Sequence, residues 1–404
     1  MTSDLHTVAS GDLLYDPYSY EIDADPYPVY KRMRDEAPVY YNEEFDFFAL
    51  TRFDDCIKAF RDWESFSSAK STVLEMMTGD DFPGSMMIFM DPPRQTQYRA
   101  LVARAFTKSR IARLEPSIRE IAVGHLGKIA GRKTFDAVKD FTAKLPIDVI
   151  SPLLGIPEAD RDQIRAWSND ILHRDPDNSN VTPRGLEAMQ ESQAYFQACI
   201  DERRKKPRDD MMTDLTTAEI RDEDGKLVRL SDEEIRSFFM LLATAGNETV
   251  TKLMAQSIYW LVHFPDQRRL LAEDPELATN AADEFLRFDP PSHYQGRWLT
   301  RDLTLHGVTM PKDSRVLLVN GATGRDERRF ANPDDLDLRR DVDIQLGLGF
   351  GRHLCLGAQL ARMEMRIGLQ EFLARWPEYD APSDGIERIH SSNVRGMSGL
   401  RIEV

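Results

Sequence analysis

Residues 346–362 read LGLGFGRHLCLGAQLAR. Cys355 is one of three cysteines in 404 residues, and it sits where a glycine-dense loop runs into a helix-forming stretch. A thiol just ahead of a helix feels the positive end of the helix dipole and unpaired backbone N–H donors, both of which favour the thiolate. Gly347, Gly349, Gly351 and Gly357 permit tight turns and close approach by something flat and bulky. Arg352 and His353 add donors for acidic groups on that object. A single thiolate, with no second Cys or His at ligand spacing, does not suit zinc or an iron–sulfur cluster. It suits the one axial ligand of a haem. Two other readings stand beside this one. A lone cysteine is commonly buried and inert. GLGFG could also cradle a phosphate, although its spacing is G-x-G-x-G and no long apolar strand precedes it.

Composition narrows the class. A chain of 404 residues with 41% hydrophobic content can bury a large core. It contains no apolar run long enough for a membrane span, and MTSDLHTVAS opens polar, so a protein without span or leader is expected. Three widely spaced cysteines (Cys56, Cys199, Cys355) argue against a disulfide framework and for a reducing cytoplasm. A net charge of −16 argues against nucleic acid or an anionic membrane as partner.

The chain reads as mostly helix. Ser231 and Glu234 form a capping box, and Ile235, Phe238, Phe239, Leu242 and Ala245 follow at helical spacing until Pro265. A helix over 231–264 would run roughly 50 Å at ~1.5 Å per residue, long enough to cross the centre of the molecule. Further helices are expected at 97–107, 116–130, 187–206, 266–288 and 357–376. Strand signals are short: VYYNEEFDFFAL near 39–50, LTLHGVTM at 303–310 and SRVLLVN at 314–320. The charge run at 202–210 reads as a solvated loop between helices. No repeat or domain linker is visible, which favours one large, mainly α unit with small β-sheets.

GFGRHLCLGA closely resembles the haem-binding signature of the cytochrome P450 family. Gly349, Gly351, Arg352, His353, Cys355 and Gly357 match it; Leu348 stands where the family usually has Phe, which changes how the sulfur is shielded. Three further motifs are similar to the family's, in the expected order. DPPRQTQYR (91–99) resembles its D-P-P-x-H-x-x-x-R stretch, with Arg99 retained and Gln95 in place of the His that meets a haem propionate. LLATAGNETV (241–250) resembles its oxygen-binding motif. ADEFLRF holds E-x-x-R as Glu284 and Arg287, and VRGMSGLRIEV (394–404) resembles its C-terminal turn and strand.

The resemblance implies a single domain over 1–404, with 1–24 as an N-terminal extension and a long central helix crossing haem b. Cys355 would be the metal ligand. Gln95, Arg99, Arg297, His353, Gly349, Leu348 and Gly357 would bind the cofactor. Gly246 would leave room for a ligand, while Glu248 and Thr249 would supply an acid and an alcohol for protons. Glu284 and Arg287 would lock the core with a later arginine, expected at Arg339. The implied activity is insertion of one atom of O2 into a lipophilic small molecule, with electrons from an external ferredoxin and NAD(P)H reductase. A peroxide-using or isomerising member, or a non-catalytic haem-thiolate sensor, are the alternatives.

By the same analogy Leu242, Ala243, Ala245, His293, Tyr294 and Met397 would line the substrate pocket. Met87 belongs to a methionine-rich stretch at 73–90 that reads either as an adaptable lid or as core filling. Residues 91–120 carry seven Lys/Arg against three acids, and Arg352, Arg362 and Arg366 follow the cysteine. An acidic ferredoxin would be steered there.

Overall fold

The computed structural model describes residues 12–79, 86–103, 106–175, 178, 180–221 and 225–404. Residues 1–11 of the expected extension, Pro83 and Gly84 of the methionine stretch, and Arg104 lie outside the described residues.

The central helix spans Asp232–His263. Ser231 Oγ accepts from Glu234 N (3.2 Å) and Ser231 N donates to Glu234 Oε2 (2.7 Å), so two otherwise unpaired N–H groups are satisfied at its start. Its apolar residues Phe239, Leu253, Met254, Ile258 and Leu261 are at most 2% exposed. Each such side chain contributes about 1.5–3 kcal/mol of burial. The helices Lys144–Leu154, Arg161–Leu172, Pro183–Lys205 and Ala358–Arg375 pack around it, as does the strand Gly396–Glu403. The cysteine loop therefore feeds a helix that lies against the central one.

Several element boundaries differ from the periodicity. The stretch 266–288 forms two helices, Pro265–Glu273 and Ala278–Phe288, joined by a 3₁₀ turn at Pro275–Leu277. Pro275 has no N–H for a continuous ladder. The helix expected at 97–107 covers Arg94–Ala103. That expected at 187–206 starts at Pro183, because Thr182 Oγ1 accepts from Gly185 N (3.0 Å). The charge run at 202–210 is also only partly loop. Its first four residues are helical, and Arg203, 2% exposed, donates Nε to Asp210 Oδ2 (2.6 Å).

The strands form a five-stranded sheet in the order Val39–Asn42, Phe47–Leu50, Arg315–Leu318, Gln295–Leu299, Phe66–Ser67. Only the pairing of Phe47–Leu50 with Arg315–Leu318 is parallel. VYYNEEFDFFAL is a hairpin within it, turned where Asn42 Oδ1 accepts from Phe45 N (2.9 Å) and Asp46 takes φ +50°. A second sheet joins Ile386–Ile389, Gly396–Glu403 and Thr134–Asp136, and LTLHGVTM is a separate hairpin. Among the described residues no helix is long and apolar enough to cross a membrane.

The buried lock behind this architecture is Glu284 with Arg287, both fully buried. Arg287 Nε and Nη2 reach the two Glu284 oxygens at 2.7 Å each. The third member is Arg340, not Arg339. Arg340 Nε lies 3.2 Å from Glu284 Oε1, whereas Arg339 bonds through its backbone N–H to Asp337. Neighbouring residues in an irregular segment face different ways, and spacing alone did not choose between them.

Candidate active site

The cysteine loop is shaped by backbone conformations that suit glycine. Gly349 (φ +70°) and Gly351 (φ +67°) lie in the left-handed region, and a Cβ on Gly351 would stand 2.8 Å from the carbonyl oxygen of Phe60. Cys355 N donates to Leu348 O (2.9 Å), closing the loop just ahead of the helix Ala358–Arg375. The thiol is half-buried, with Leu348 and Leu356 beside it in the main core cluster. The expected thiolate bias is reversed in direction: burial pushes the Cys355 thiol up, against the N–H of Gly357 and the charges of Arg99 and Arg362. An enclosed thiolate needs a close cation, and a coordinating metal deprotonates a thiol outright.

Three basic groups converge beside this loop. Arg297, from the strand Gln295–Leu299, is 3% exposed, and its side chain's one hydrogen bond among the described residues is Nη1 to Gly296 O (2.6 Å). Burial lowers its pKa to about 10, opposed by Asp91. His353 is held down to about 3 by burial and by Arg297 and Arg99, and its Nε2 is buried without a partner. Arg99 is half-buried and is also lowered by burial, with Cys355 opposing. Two desolvated guanidiniums close together, beside a neutral imidazole whose Nε2 has no partner, repel one another unless an anion joins them. The two carboxylates of a haem supply that anion, so this donor set fits the cofactor.

Gln95, expected at a propionate, lies beside the same loop. It is 1% exposed and donates Nε2 to Arg352 O (2.8 Å), tying the helix Arg94–Ala103 to the cysteine loop. Gly357 has open space around the Cβ position, with nothing within 4 Å.

The other wall comes from the central helix. Ala245 is exposed and Thr244, Gly246 and Thr249 are half-exposed, although Leu241–Ala243 before them and the stretch from Val250 to Ile258 after them are buried. A helix that loses cover in its middle borders an internal space. Thr249 Oγ1 donates to Ala245 O (2.8 Å), which holds its hydroxyl on that open face. A Cβ on Gly246 would meet Ile150 Cγ1 at 3.4 Å, so this glycine sits against the helix Lys144–Leu154. Glu248, next to Thr249, turns the other way by roughly 100°. It is 2% exposed and pairs with Lys252 Nζ at 2.9 Å. Asn247 Nδ2 donates to Glu248 Oε1 (3.1 Å). The Asn169 amide, turned with its nitrogen toward the carboxylate, donates to both oxygens (3.1 and 3.3 Å).

The expected pocket residues separate into two groups. Leu242, Ala243, Met87 and Met397 share the core cluster that holds Leu348 and Leu356. Met86 and Met90 pack against the same cluster. His293 belongs elsewhere: its Nδ1 lies 2.9 Å from Tyr30 Oη and its Nε2 3.6 Å from Asp289, and burial lowers its pKa. Tyr294 Oη donates to Ser392 Oγ (3.0 Å) and accepts from Leu74 N (3.2 Å). Sequence reasoning missed Lys252 and Asn169. The i,i+4 spacing of Glu248 and Lys252 was a usable signal. Nothing local pointed to Asn169, which comes from a separate helix.

Comparison with known proteins agrees with this geometry. The family model for Cytochrome P450 matches residues 168–393. The chain is 41% identical over 403 residues to putative cytochrome P450 123 of Mycobacterium tuberculosis, covering 98% of this chain and 99% of that one. It is 37% identical over 402 residues to the vitamin D(3) 25-hydroxylase of Pseudonocardia autotrophica, covering 97% of each. Among solved structures, CYP109E1 of Bacillus megaterium in complex with testosterone superposes with a TM-score of 0.85 at 32% identity, covering 95% of this chain and 99% of that one. A single cysteine in a glycine-built loop, a cationic cradle beside it and an uncovered mid-helix face thus sit on a chain of known descent: this protein belongs to the cytochrome P450 family and is an oxidoreductase of the monooxygenase type.

Proposed function

We propose that this protein hydroxylates a lipophilic small molecule of about steroid size, with haem b on Cys355 and electrons from an external ferredoxin and its NAD(P)H-dependent reductase. The observation that carries the reading is the convergence of Arg99, Arg297 and His353 beside Cys355, with no carboxylate paired to either arginine among the described residues and His353 Nε2 buried without a partner. When bound, a thiolate-held haem activates O2 and delivers one atom to substrate while the other leaves as water. Arg99, Arg297 and His353 would anchor the propionates. Gln95 keeps the cysteine loop in place through Arg352 O. Thr249 presents a hydroxyl on the open face of the central helix, able to hold and pass a proton there. The apolar cluster containing Leu242, Met87 and Met397 excludes water and suits a lipophile. Steroid size is supported by two relatives, one named a vitamin D(3) hydroxylase and one solved with testosterone.

The test is spectroscopic. Reduced protein under carbon monoxide is expected to give the strongly red-shifted Soret band of a thiolate-ligated haem, and Cys355→His is expected to lose it. Turnover with ferredoxin, reductase and NAD(P)H, absent with peroxide alone, then separates the monooxygenase from the alternatives. An unchanged band in Cys355→His sinks the ligand assignment.

A further inference from the structure

A cavity of about 550 Å³ opens at the far end of the central helix. Tyr259 and Trp260 stand ten and eleven residues beyond Thr249, about 16 Å along the axis, so this space is separate from the haem pocket. Its walls combine aromatic and guanidinium groups: Tyr27, Tyr259 and Trp260 with Arg325, Arg388 and Arg395.

The walls are held rigidly by a fully enclosed carboxylate. Asp289 accepts from Tyr27 Oη (2.6 Å), Trp260 Nε1 (2.7 Å) and Arg395 Nη1 (2.8 and 2.9 Å). Burial works to raise its pKa, but Arg395 and His293 outweigh that and keep it well below the usual carboxylate range. Arg325 is fixed between the rings of Tyr27 (3.6 Å) and Phe288 (3.8 Å) and pairs with Asp334 at 3.3 Å. Lys31, on the rim, pairs with Asp35 at 3.1 Å. Arg388 is the exception. Among the described residues its side chain makes no hydrogen bond or ion pair; Nη1 is shut off from solvent without a partner, and the Nε–Nη2 edge is left open. Burial and then Arg395 disfavour its charge, with Asp23 and Asp289 opposing. Asp25, also lining the space, is exposed and therefore screened by water.

We propose that this cavity is a second ligand site, taking a small planar aromatic carboxylate with its carboxylate on the Arg388 fork and its ring against Tyr259 and Trp260. A guanidinium fork matches a carboxylate with two parallel hydrogen bonds. The aromatic walls would be left unused by an inorganic anion, and the volume falls within the ~300–1,000 Å³ usual for small-molecule sites. Because Asp289 already orients Tyr27, Trp260 and Arg395, little ordering cost remains at binding.

The probe is naphthoate, titrated into haem-loaded protein by calorimetry while the Soret band is followed. One molecule is expected to bind without moving the Soret band, and naphthamide, its uncharged analogue, to bind at least about tenfold more weakly. Arg388→Ala and Arg388→Gln are each expected to weaken naphthoate by about tenfold or more with the carbon monoxide band intact. The Gln variant keeps more of the side chain, without its charge, if the Ala variant does not fold. The proposal is overturned if naphthoate at millimolar concentration gives no binding heat, or if the amide binds as well as the acid. Unchanged affinity in the folded Arg388 variant, or displacement of the probe by imidazole with a Soret shift, overturns it equally.

Discussion

Lys252 Nζ lies 2.9 Å from Glu248 Oε2, one helical turn away, and both side chains are 2% exposed. The acid that sequence reading set aside for proton supply is therefore committed to a buried ion pair, with Asn247 and Asn169 on its remaining lone pairs. The lysine stem fills space that only glycine leaves free: a Cβ on Gly396 would stand 2.5 Å from Lys252 Cβ.

Breaking a buried pair from one side strands the other charge, at a cost of about 3–5 kcal/mol. Lys252→Met and Glu248→Gln are each expected to lose about 3 kcal/mol in urea unfolding, and the double variant to recover most of it. Stability is expected to fall before turnover does in Glu248→Gln. Wild-type stability in both single variants would mean the pair is not closed in solution.

Thr249 stands on the open face, its hydroxyl held by Ala245 O at 2.8 Å. Thr249→Ala is expected to keep haem content and substrate binding. Product formed per NAD(P)H consumed should drop several-fold, with hydrogen peroxide rising to match, because proton delivery loses its alcohol. A fully coupled Thr249→Ala enzyme would remove Thr249 from the relay.

The basic face divides on inspection of its partners. Arg362 is taken by Asp283 (2.7 Å), Arg366 by Glu115 (2.8 Å) and Arg119 by Glu371. Lys108, Arg110, Arg113 and Arg352 are exposed and have no ion pair among the described residues. The helix Lys108–Ala112 touches Ala358–Arg375, which places these charges near the cysteine helix. Arg113→Glu is expected to slow reduction by an acidic ferredoxin roughly tenfold at low salt, with the difference shrinking as salt rises. Arg366→Gln should change it little. Stopped-flow reduction at several ionic strengths distinguishes the two, and equal rates for Arg113→Glu and wild type would move the docking face elsewhere.

Glu364, on the helix Ala358–Arg375, is 1% exposed, and its Oε2 has no hydrogen-bond partner among the described residues. Burial raises its pKa well above 4.5. A raised folded pKa means the native state keeps a proton that the unfolded chain releases. The resulting stability is full below the unfolded value and is lost as pH rises toward the folded one. Glu364→Gln lacks this titration. The wild-type stability relative to the Gln variant should decline from pH 4.5 upward, by at most about 1.4 kcal/mol per pH unit. A pH-independent difference in urea unfolding would show that Glu364 is ionised in the native state.

The parts of this protein that its sequence determined are those set by local stereochemistry. Glycines at 349 and 351 are readable because the loop needs positive φ, and Ser231 with Glu234 because a capping box closes within one turn. Glu284 and Arg287 are three residues apart on one helix, so their pairing is likewise local. The long helix and the lone cysteine before a helix follow from the same short-range rules. Tertiary structure alone decided which distant groups meet. Arg340 rather than Arg339 completes the Glu284 lock, because the irregular chain there turns alternate residues inward. Asn169 reaches Glu248 from another helix, and His293 is drawn to Tyr30 across 263 residues. Such contacts form because a buried polar group must find a partner wherever packing places one, and packing is a property of the whole chain.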